Sequence, residues 1–307
     1  MNKRDLLFIT DLSPEEIRKV LGWAKELKDG AQSACLAGKS VAMLFEKPSL
    51  RTRVSFDVAV RQLGGHAIYL GQDEVGLGSR EGVSDVARVL SRYVEAIVAR
   101  TYAHQTLEAL ATYASVPVIN ALSDAEHPCQ ALGDLLTMSE QAGRLEGLSI
   151  AFVGDGNNVA TSLALGAALV GANFVVASPP GYGLPEKVVQ QAESLASRYG
   201  TTFKQLNRPE EAVQGADVVY TDVWVSMGQE AEAEQRRRDF QGYQVNPSLM
   251  EMAGTEAMFM HPLPAHHGEE VSEGMLEHRR SVVFDQAENR LHAQKAVLEF
   301  ILGSGRG

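Results

Sequence analysis

Only two cysteines, Cys35 and Cys129, stand among 307 residues. That is too few for a disulfide framework or a thiolate zinc site, so both read as free thiols in a reducing compartment. Excess positive charge is also missing. The formal net charge is −11, which excludes a generally basic nucleic-acid surface and leaves room only for a local basic patch. No uninterrupted apolar run reaches membrane-spanning length. The most apolar long stretch, residues 163–177, is broken by Gly166 and Gly171 and reads as a buried helix followed by a strand. Residues 1–5 lead into a short apolar patch without the core of an export signal, and the expectation is a cytoplasmic protein. What is present is a globular composition, 45% apolar and 22% charged, at a length that suits two domains of ordinary size.

Strand and helix signals alternate along the chain. Ser13-Pro14-Glu15-Glu16 starts a helix, with proline at the first helical position and Ile17, Val20, Leu21, Ala24 and Leu27 following at helical spacing. Strands are expected at 41–45, 67–70, 96–99 and 116–120, and helices after Ser49 and over 84–93, 106–113 and 127–138. The pattern repeats with strands at 148–153, 174–177, 216–220 and 258–260, and helices after Asn158 and over 185–199 and 289–302. The class is therefore α/β: two doubly wound parallel-sheet domains, with the last helix packing back on the first. The loop at 71–78 is Gly-rich and reads as mobile. Residues 229–238 are dense in charge and read as a solvated helical face without chemistry.

The stretch Glu46-Lys47-Pro48-Ser49-Leu50-Arg51-Thr52-Arg53 joins the first strand to a helix. Ser49 is a natural N-cap, and two arginines in the first turn oppose the helix dipole unless an anion sits there. Ligands of parallel sheets bind beyond the carboxyl ends of the strands, where Ser49, Arg51, Thr52, Arg100, His127 and Gln130 all fall. A phosphate site is the reading; a capped helix with solvated arginines is its alternative.

Gly154-Asp155-Gly156 after a strand invites a dinucleotide fold, the NAD(P)-dependent oxidoreductase alternative. Val159 occupies the third glycine position, and no acid follows the next strand at Ala177-Ser178. Asn157 and Asn158 suit either helix capping or a carboxylate. Asp222 begins a turn at a strand end, where a carboxylate and backbone donors could hold an amino acid or simply close an Asx turn. X–Pro bonds in His261-Pro262-Leu263-Pro264 are candidates for the cis form. His266 and His267 are discounted as metal ligands, since adjacent histidines on a strand point oppositely, and Glu269 and Glu270 read as helix-start acids.

Together, Ser49-Leu50-Arg51-Thr52-Arg53, Arg100, His127-Pro128-Cys129-Gln130, Gly154-Asp155-Gly156-Asn157-Asn158, residues 222–228, His261-Pro262-Leu263-Pro264 and Glu288-Asn289-Arg290 resemble the ornithine carbamoyltransferases of the aspartate/ornithine transcarbamylase family. The resemblance implies a carbamoyl-phosphate domain at 1–137 with 289–307 packed back on it, and an ornithine domain at 138–288. It implies that Ser49, Leu50, Arg51, Thr52, Arg100, His127, Gln130, Pro262, Leu263 and Arg290 bind carbamoyl phosphate. Asn158, Asp222, Ser226 and Met227 would bind ornithine, and Arg51, Arg100, His127 and Asp222 would be catalytic. It further implies a homotrimer or a multiple of trimers, with domain closure on the amino acid and no nucleic-acid or membrane partner. No metal or organic cofactor is expected, because the phosphate leaving group is already activated.

Three positions depart from the family pattern. Pro262 replaces the usual cysteine and resembles the aspartate enzymes, although Ala265 stands where those usually carry arginine. Glu74 stands where Gln or His usually reaches a neighbouring subunit's phosphate, and Leu50 replaces the common threonine. A transcarbamylase for aspartate, putrescine or an acylated ornithine, and a non-catalytic binding paralogue, are the other expectations.

Overall fold

The computed structural model describes residues 3–77, 80–226 and 228–303. Two compact units divide the chain, one of Met1–Leu136 with Glu288–Gly307 and one of Thr137–Ala287. The first holds α1 (Pro14–Lys28), β1 (Ser40–Phe45), α2 (Leu50–Gln62), β2 (His66–Gly71), a short α3 (Gln72–Val75), α4 (Val83–Leu90), β3 (Ala96–Arg100), α5 (His104–Tyr113), β4 (Val118–Leu122) and most of the first turns of α6 (Pro128–Ala142). Its sheet runs β2-β1-β3-β4 with every pairing parallel.

The central strands follow from their composition. Residues 41–45 of β1 and all of β3 are buried, as continuous apolar runs must be when helices cover both faces of a sheet. The edge strand β4 starts one residue after Pro117, so the missing N–H of that proline is not lost from the strand itself. A full capping box opens α1: Ser13 accepts from the Glu16 N–H, and the Glu16 carboxylate accepts from the Ser13 N–H at 2.9 Å.

The second unit holds β5 (Ser149–Val153), α7 (Asn158–Leu169), β6 (Asn173–Ala177), α8 (Glu186–Tyr199), β7 (Phe203–Leu206), α9 (Pro209–Ala212), β8 (Val218–Thr221), α10 (Ala233–Asp239), α11 (Pro247–Met252) and β9 (Met258–Met260). Its parallel sheet runs β7-β6-β5-β8-β9. The final helix, α12 (Val283–Leu302), starts earlier than the expected residue 289. From Glu288 onward it belongs to the first unit, where Lys28 donates to Asn289 at 2.7 Å, Ser33 to Glu299 at 3.0 Å and Lys39 to the Leu302 carbonyl at 2.9 Å.

Both sheets reverse direction at a defined place. The chain winds outward from β1 to β2 and then returns to the other side of β1 with β3; in the second unit the reversal falls between β5 and β8. Such switch points are where parallel sheets open a ligand crevice at their carboxyl ends. They put Ser49 and Arg100 at one crevice and residues 154–158 and Asp222 at the other.

Several local expectations are corrected. The loop at 71–78 contains α3, a single helical turn, while Gly78 lies outside the described residues. Strand β7 was not expected, because its central Lys204 and Gln205 are exposed and interrupt any apolar signal. Glu269 and Glu270 lie in a turn rather than at a helix start.

The turn after β5 is tightly built. A Cβ at Gly156 would run into the backbone of Gly183 and Leu184, so Gly156→Ala is expected to destabilise the protein by about 1–3 kcal/mol, the usual range for overpacking. Thermal melting should show a loss of several degrees; an unchanged melting temperature would mean that the turn has room the structure denies.

Candidate active site

The first crevice is lined by cations brought from three separate elements. Ser49 caps α2 with extended backbone, its hydroxyl accepting from the Thr52 N–H at 3.3 Å and donating to the Thr52 hydroxyl at 3.0 Å. Arg290, on α12, donates to the same Thr52 oxygen at 2.8 Å. Gly133 on α6 lets this helix approach closely, since a Cβ there would meet the Arg290 Cγ at 3.1 Å and its backbone at 3.3 Å. Arg100 ends β3, is buried, and has an Nε without a hydrogen-bond partner.

Like charges meet here. Burial first, then Arg290 and Arg51, bring the Arg100 guanidinium down to about 10. Burial with Arg290 and Arg100 pushes the His127 imidazole well below its ordinary value, so at neutral pH it is uncharged and can donate from one ring nitrogen only. Gln130, one turn into α6, gives its amide N–H to Asp134 at 2.8 Å and leaves a buried Oε1 with no partner. The result is a cluster of positive charge with an orphaned guanidinium donor and an orphaned amide acceptor. An anion bearing an –NH₂ group would answer both.

The loop acid at position 74 does not weaken this cluster in the way its charge suggests. Glu74 folds back and accepts from the Gly71 N–H at 2.7 Å, capping α3. Leu50 is 75% exposed, so it can serve the crevice through its backbone and not its side chain.

The second crevice centres on a buried carboxylate. Asp222 follows β8, accepts from the Asn157 amide at 2.8 Å and from the Val223 N–H at 2.8 Å. Burial raises its pKa, opposed by the hydrogen bonds it accepts from Val223 and Asn157. Asn157 also caps α7, accepting from Val159 and Ala160 at 3.0 and 3.1 Å. Capping therefore falls to Asn157, and Asn158 becomes the first helical residue. Ser226 donates its backbone N–H to Gln229 at 3.0 Å. Met227 lies outside the described residues.

Behind Asp222 a buried chain of polar groups holds residues 261–264. The His261 N–H donates to Gln286 at 2.9 Å, whose amide donates to the Tyr220 hydroxyl at 3.0 Å. The His261 Nε2 lies 3.1 Å from Glu270, and its Nδ1 accepts from the Leu263 N–H at 2.9 Å, which fixes the neutral tautomer with hydrogen on Nε2. Leu263 adopts a left-handed φ of 57°, and the Leu263–Pro264 bond is cis. Pro262 is buried.

His266 is closer to carboxylates than its sequence context predicts: ligand atoms of His266, Glu269 and Glu270 lie within 4.8 Å of one another. Their charge is already engaged, Glu269 by Arg237 at 2.8 Å and Glu270 by His261. Missed by sequence reasoning altogether were Arg236, one of three consecutive arginines, and Glu270 as the partner of His261. Nothing in the local pattern separates buried Arg236 from its solvated neighbours.

The fold defines a pair of doubly wound α/β units, each with a charged crevice at its switch point. Two family models match it. Residues 4–140 match the carbamoyl-P binding domain, and residues 146–301 the Asp/Orn binding domain, of aspartate/ornithine carbamoyltransferase. An ornithine carbamoyltransferase of Pyrococcus abyssi is 55% identical over 98% of this chain and 96% of the relative. One of Pyrococcus furiosus, named anabolic, is 54% identical over the same shares. Among solved structures, the ornithine carbamoyltransferase from Pyrococcus furiosus superposes with a TM-score of 0.95 at 53% identity, covering 99% of this chain and 98% of that one. The enzyme from Thermus thermophilus gives 0.88 at 49%, covering 98% and 100%. The chain belongs to the aspartate/ornithine carbamoyltransferase family, and within it to the ornithine carbamoyltransferases.

Thr52 is the hub that aims Arg290, so its hydroxyl can be tested apart from its bulk. Thr52→Val keeps the shape and removes the acceptor, and should weaken inorganic phosphate binding about tenfold, as loss of a buried partner of a charged group does. Thr52→Ser should bind within about twofold of the parent, given the same hydrogen bond. Calorimetric titration distinguishes them; equal affinities for the two variants would remove Thr52 from the cradle.

Proposed function

We propose that this chain transfers the carbamoyl group of carbamoyl phosphate to the δ-amine of L-ornithine, giving L-citrulline and phosphate in the biosynthetic direction of arginine metabolism. The observation that carries this reading is the convergence of Arg51, Arg100 and Arg290 beside neutral His127 and the unpartnered Gln130 oxygen. Its support from relatives is near-full-length identity of 55% to an ornithine carbamoyltransferase.

In this reading the backbone and side chains of Ser49, Leu50, Arg51 and Thr52, with Arg100 and Arg290, cradle the phosphate and neutralise charge growing on it as it leaves. His127, Arg100 and the Thr52 hydroxyl polarise the carbamoyl oxygen. Gln130 and the carbonyls of Pro262 and Leu263 accept from the carbamoyl –NH₂ and orient the carbon for attack. Pro262 has no N–H but retains its carbonyl, so this role does not require the family's thiol. Asp222 takes the α-ammonium of ornithine, and Asn158 with the Ser226 and Met227 backbone takes the α-carboxylate. The δ-nitrogen forms its bond to the carbamoyl carbon as the C–O bond to phosphate breaks, the phosphate leaving with the bonding pair and taking up the proton that the amine loses, and no metal or organic cofactor is invoked.

Assembly and setting follow the same reading. Helix α2 leaves Leu50 and Val54 exposed at 75% and 50%, one turn apart, an apolar surface suited to self-association in a homotrimer or a multiple of trimers. The free thiols suit the cytoplasm, and burial pushes the Cys129 thiol up to about 12, leaving it unreactive. Among the described residues no helix is long and apolar enough to cross a membrane.

The test is citrulline formation from carbamoyl phosphate and L-ornithine across a range of pH, with aspartate, putrescine and N-acetylornithine alongside. The nucleophile is a neutral amine whose free pKa is about 10.4, so activity should rise from neutral to alkaline pH. Because burial raises Asp222, its ionised form is lost at a higher pH than for an ordinary aspartate, and the acid limb should lie correspondingly higher. His127→Gln should lower turnover by ~10²–10³, the effect of deleting one donor to a developing oxyanion. Carbamoylation of another acceptor in preference to ornithine would overturn the assignment of the second crevice.

A further inference from the structure

Arg236 stands outside every role assigned so far, yet it is one of the most enclosed cations of the second unit. Its exposure is 7%, in a charged segment whose neighbours Arg237 and Arg238 are solvated. One guanidinium nitrogen lies 3.2 Å from the Asp155 carboxylate and donates to the Trp224 carbonyl at 3.1 Å. The Nε donates to Glu232 at 3.1 Å, and the guanidinium lies 5.0 Å from the centre of the Tyr182 ring. Tyr182 in turn accepts from the Gly156 N–H through its carbonyl at 2.7 Å, and its hydroxyl donates to Asp239 at 2.7 Å.

One side chain thus joins three segments that have no continuous secondary structure between them. Asp155 belongs to the turn that presents Asn157 and Asn158. Trp224 lies in the loop running from Asp222 to Ser226. Tyr182 closes the turn from the far side, against Gly156. We infer that Arg236, held by Asp155, is a positioning residue that latches residues 222–226 to the 154–158 turn and so sets the spacing between the groups that receive the ammonium and carboxylate of the acceptor amino acid. This inference rests on the function proposed above for what it does to substrate, but not for the latch itself.

Burying the Asp155 carboxylate is costly even with Arg236 beside it. Burial is the largest influence on Asp155 and, with Arg236 acting against it, raises its pKa from 3.8 to about 6. A carboxylate whose folded pKa is raised contributes stability that is full below its unfolded pKa and is lost as pH rises through the folded one. Above about pH 6 the ionised carboxylate is therefore a burden on folding. Buried ion pairs retained at such a cost fit a role in specifying geometry. A lysine could not reproduce it, because a single ammonium lacks the planar fork that reaches separate acceptors in fixed directions.

The variants Asp155→Asn and Arg236→Lys test this. Hydrogen–deuterium exchange on the free protein should show faster exchange in residues 222–232 of both, with the first unit unchanged. The KM for L-ornithine should rise about tenfold or more, with a smaller change in kcat and an unchanged Kd for carbamoyl phosphate, as expected when positioning of one substrate is disturbed. Parent-like exchange and KM in both variants would overturn the latch. So would a joint loss of melting temperature and of both ligands, which would make the pair merely structural. If the parent itself forms no citrulline, the proposed function fails, and the exchange measurement still decides the latch.

Discussion

Repulsion between like charges is the constraint on which this structure depends. Arg51, Arg100 and Arg290 come from the first turn of α2, the end of β3 and α12, and added to the larger effect of burial they depress the basicity of buried neighbours: Arg290 and Arg51 that of Arg100, Arg290 and Arg100 that of His127. A fold optimised for stability alone would not gather them. A bound dianion would attract all of these cations and offset their mutual repulsion, so the cluster favours an anionic ligand. Burial, together with the same positive field, keeps His127 neutral, a state that donates a hydrogen bond without adding a further full charge.

The second unit uses a different device for a complementary ligand. Its buried Asp222 is raised by desolvation and in the proposed reading takes the ammonium of the acceptor, while Asp155 is raised by desolvation and already has a cation in Arg236. On the proposed reading one carboxylate receives substrate and the other fixes the turn, and burial is the larger influence on both. The polar chain from Tyr220 through Gln286 to His261 and Glu270 holds Leu263 in a left-handed conformation that a leucine does not favour by itself. In both units the polar groups that matter lie where the strand order reverses, so topology places them and burial tunes them.

This explains what could be read in the sequence and what could not. The alternation of strands and helices, the Ser49 cap and the residues at the strand ends are local or topological signals, and the two α/β units follow from them. Arg290 came from family resemblance and not from spacing, because nothing local tells that α12 returns to Thr52. Strand β7 escaped because an exposed edge strand with Lys204 and Gln205 at its centre carries no apolar alternation. Arg236 escaped for the opposite reason: a buried arginine within a charged run is indistinguishable in one dimension from its exposed neighbours, and only the Asp155 carboxylate, 3.2 Å away, identifies it. Glu269 and Glu270 stand three and four residues after His266, and it is a turn and not a helix that brings them together.

The most direct test of the account is the response of thermal stability to inorganic phosphate at constant ionic strength, in the parent and in Arg100→Gln. A ligand that binds only the folded state raises the melting temperature with its concentration. Phosphate should therefore stabilise the parent in a saturable way that chloride does not reproduce, and the response should largely vanish in Arg100→Gln. A parent protein indifferent to phosphate, or a variant that responds as fully as the parent, would contradict the claim that this arginine cluster exists to hold a phosphorylated anion.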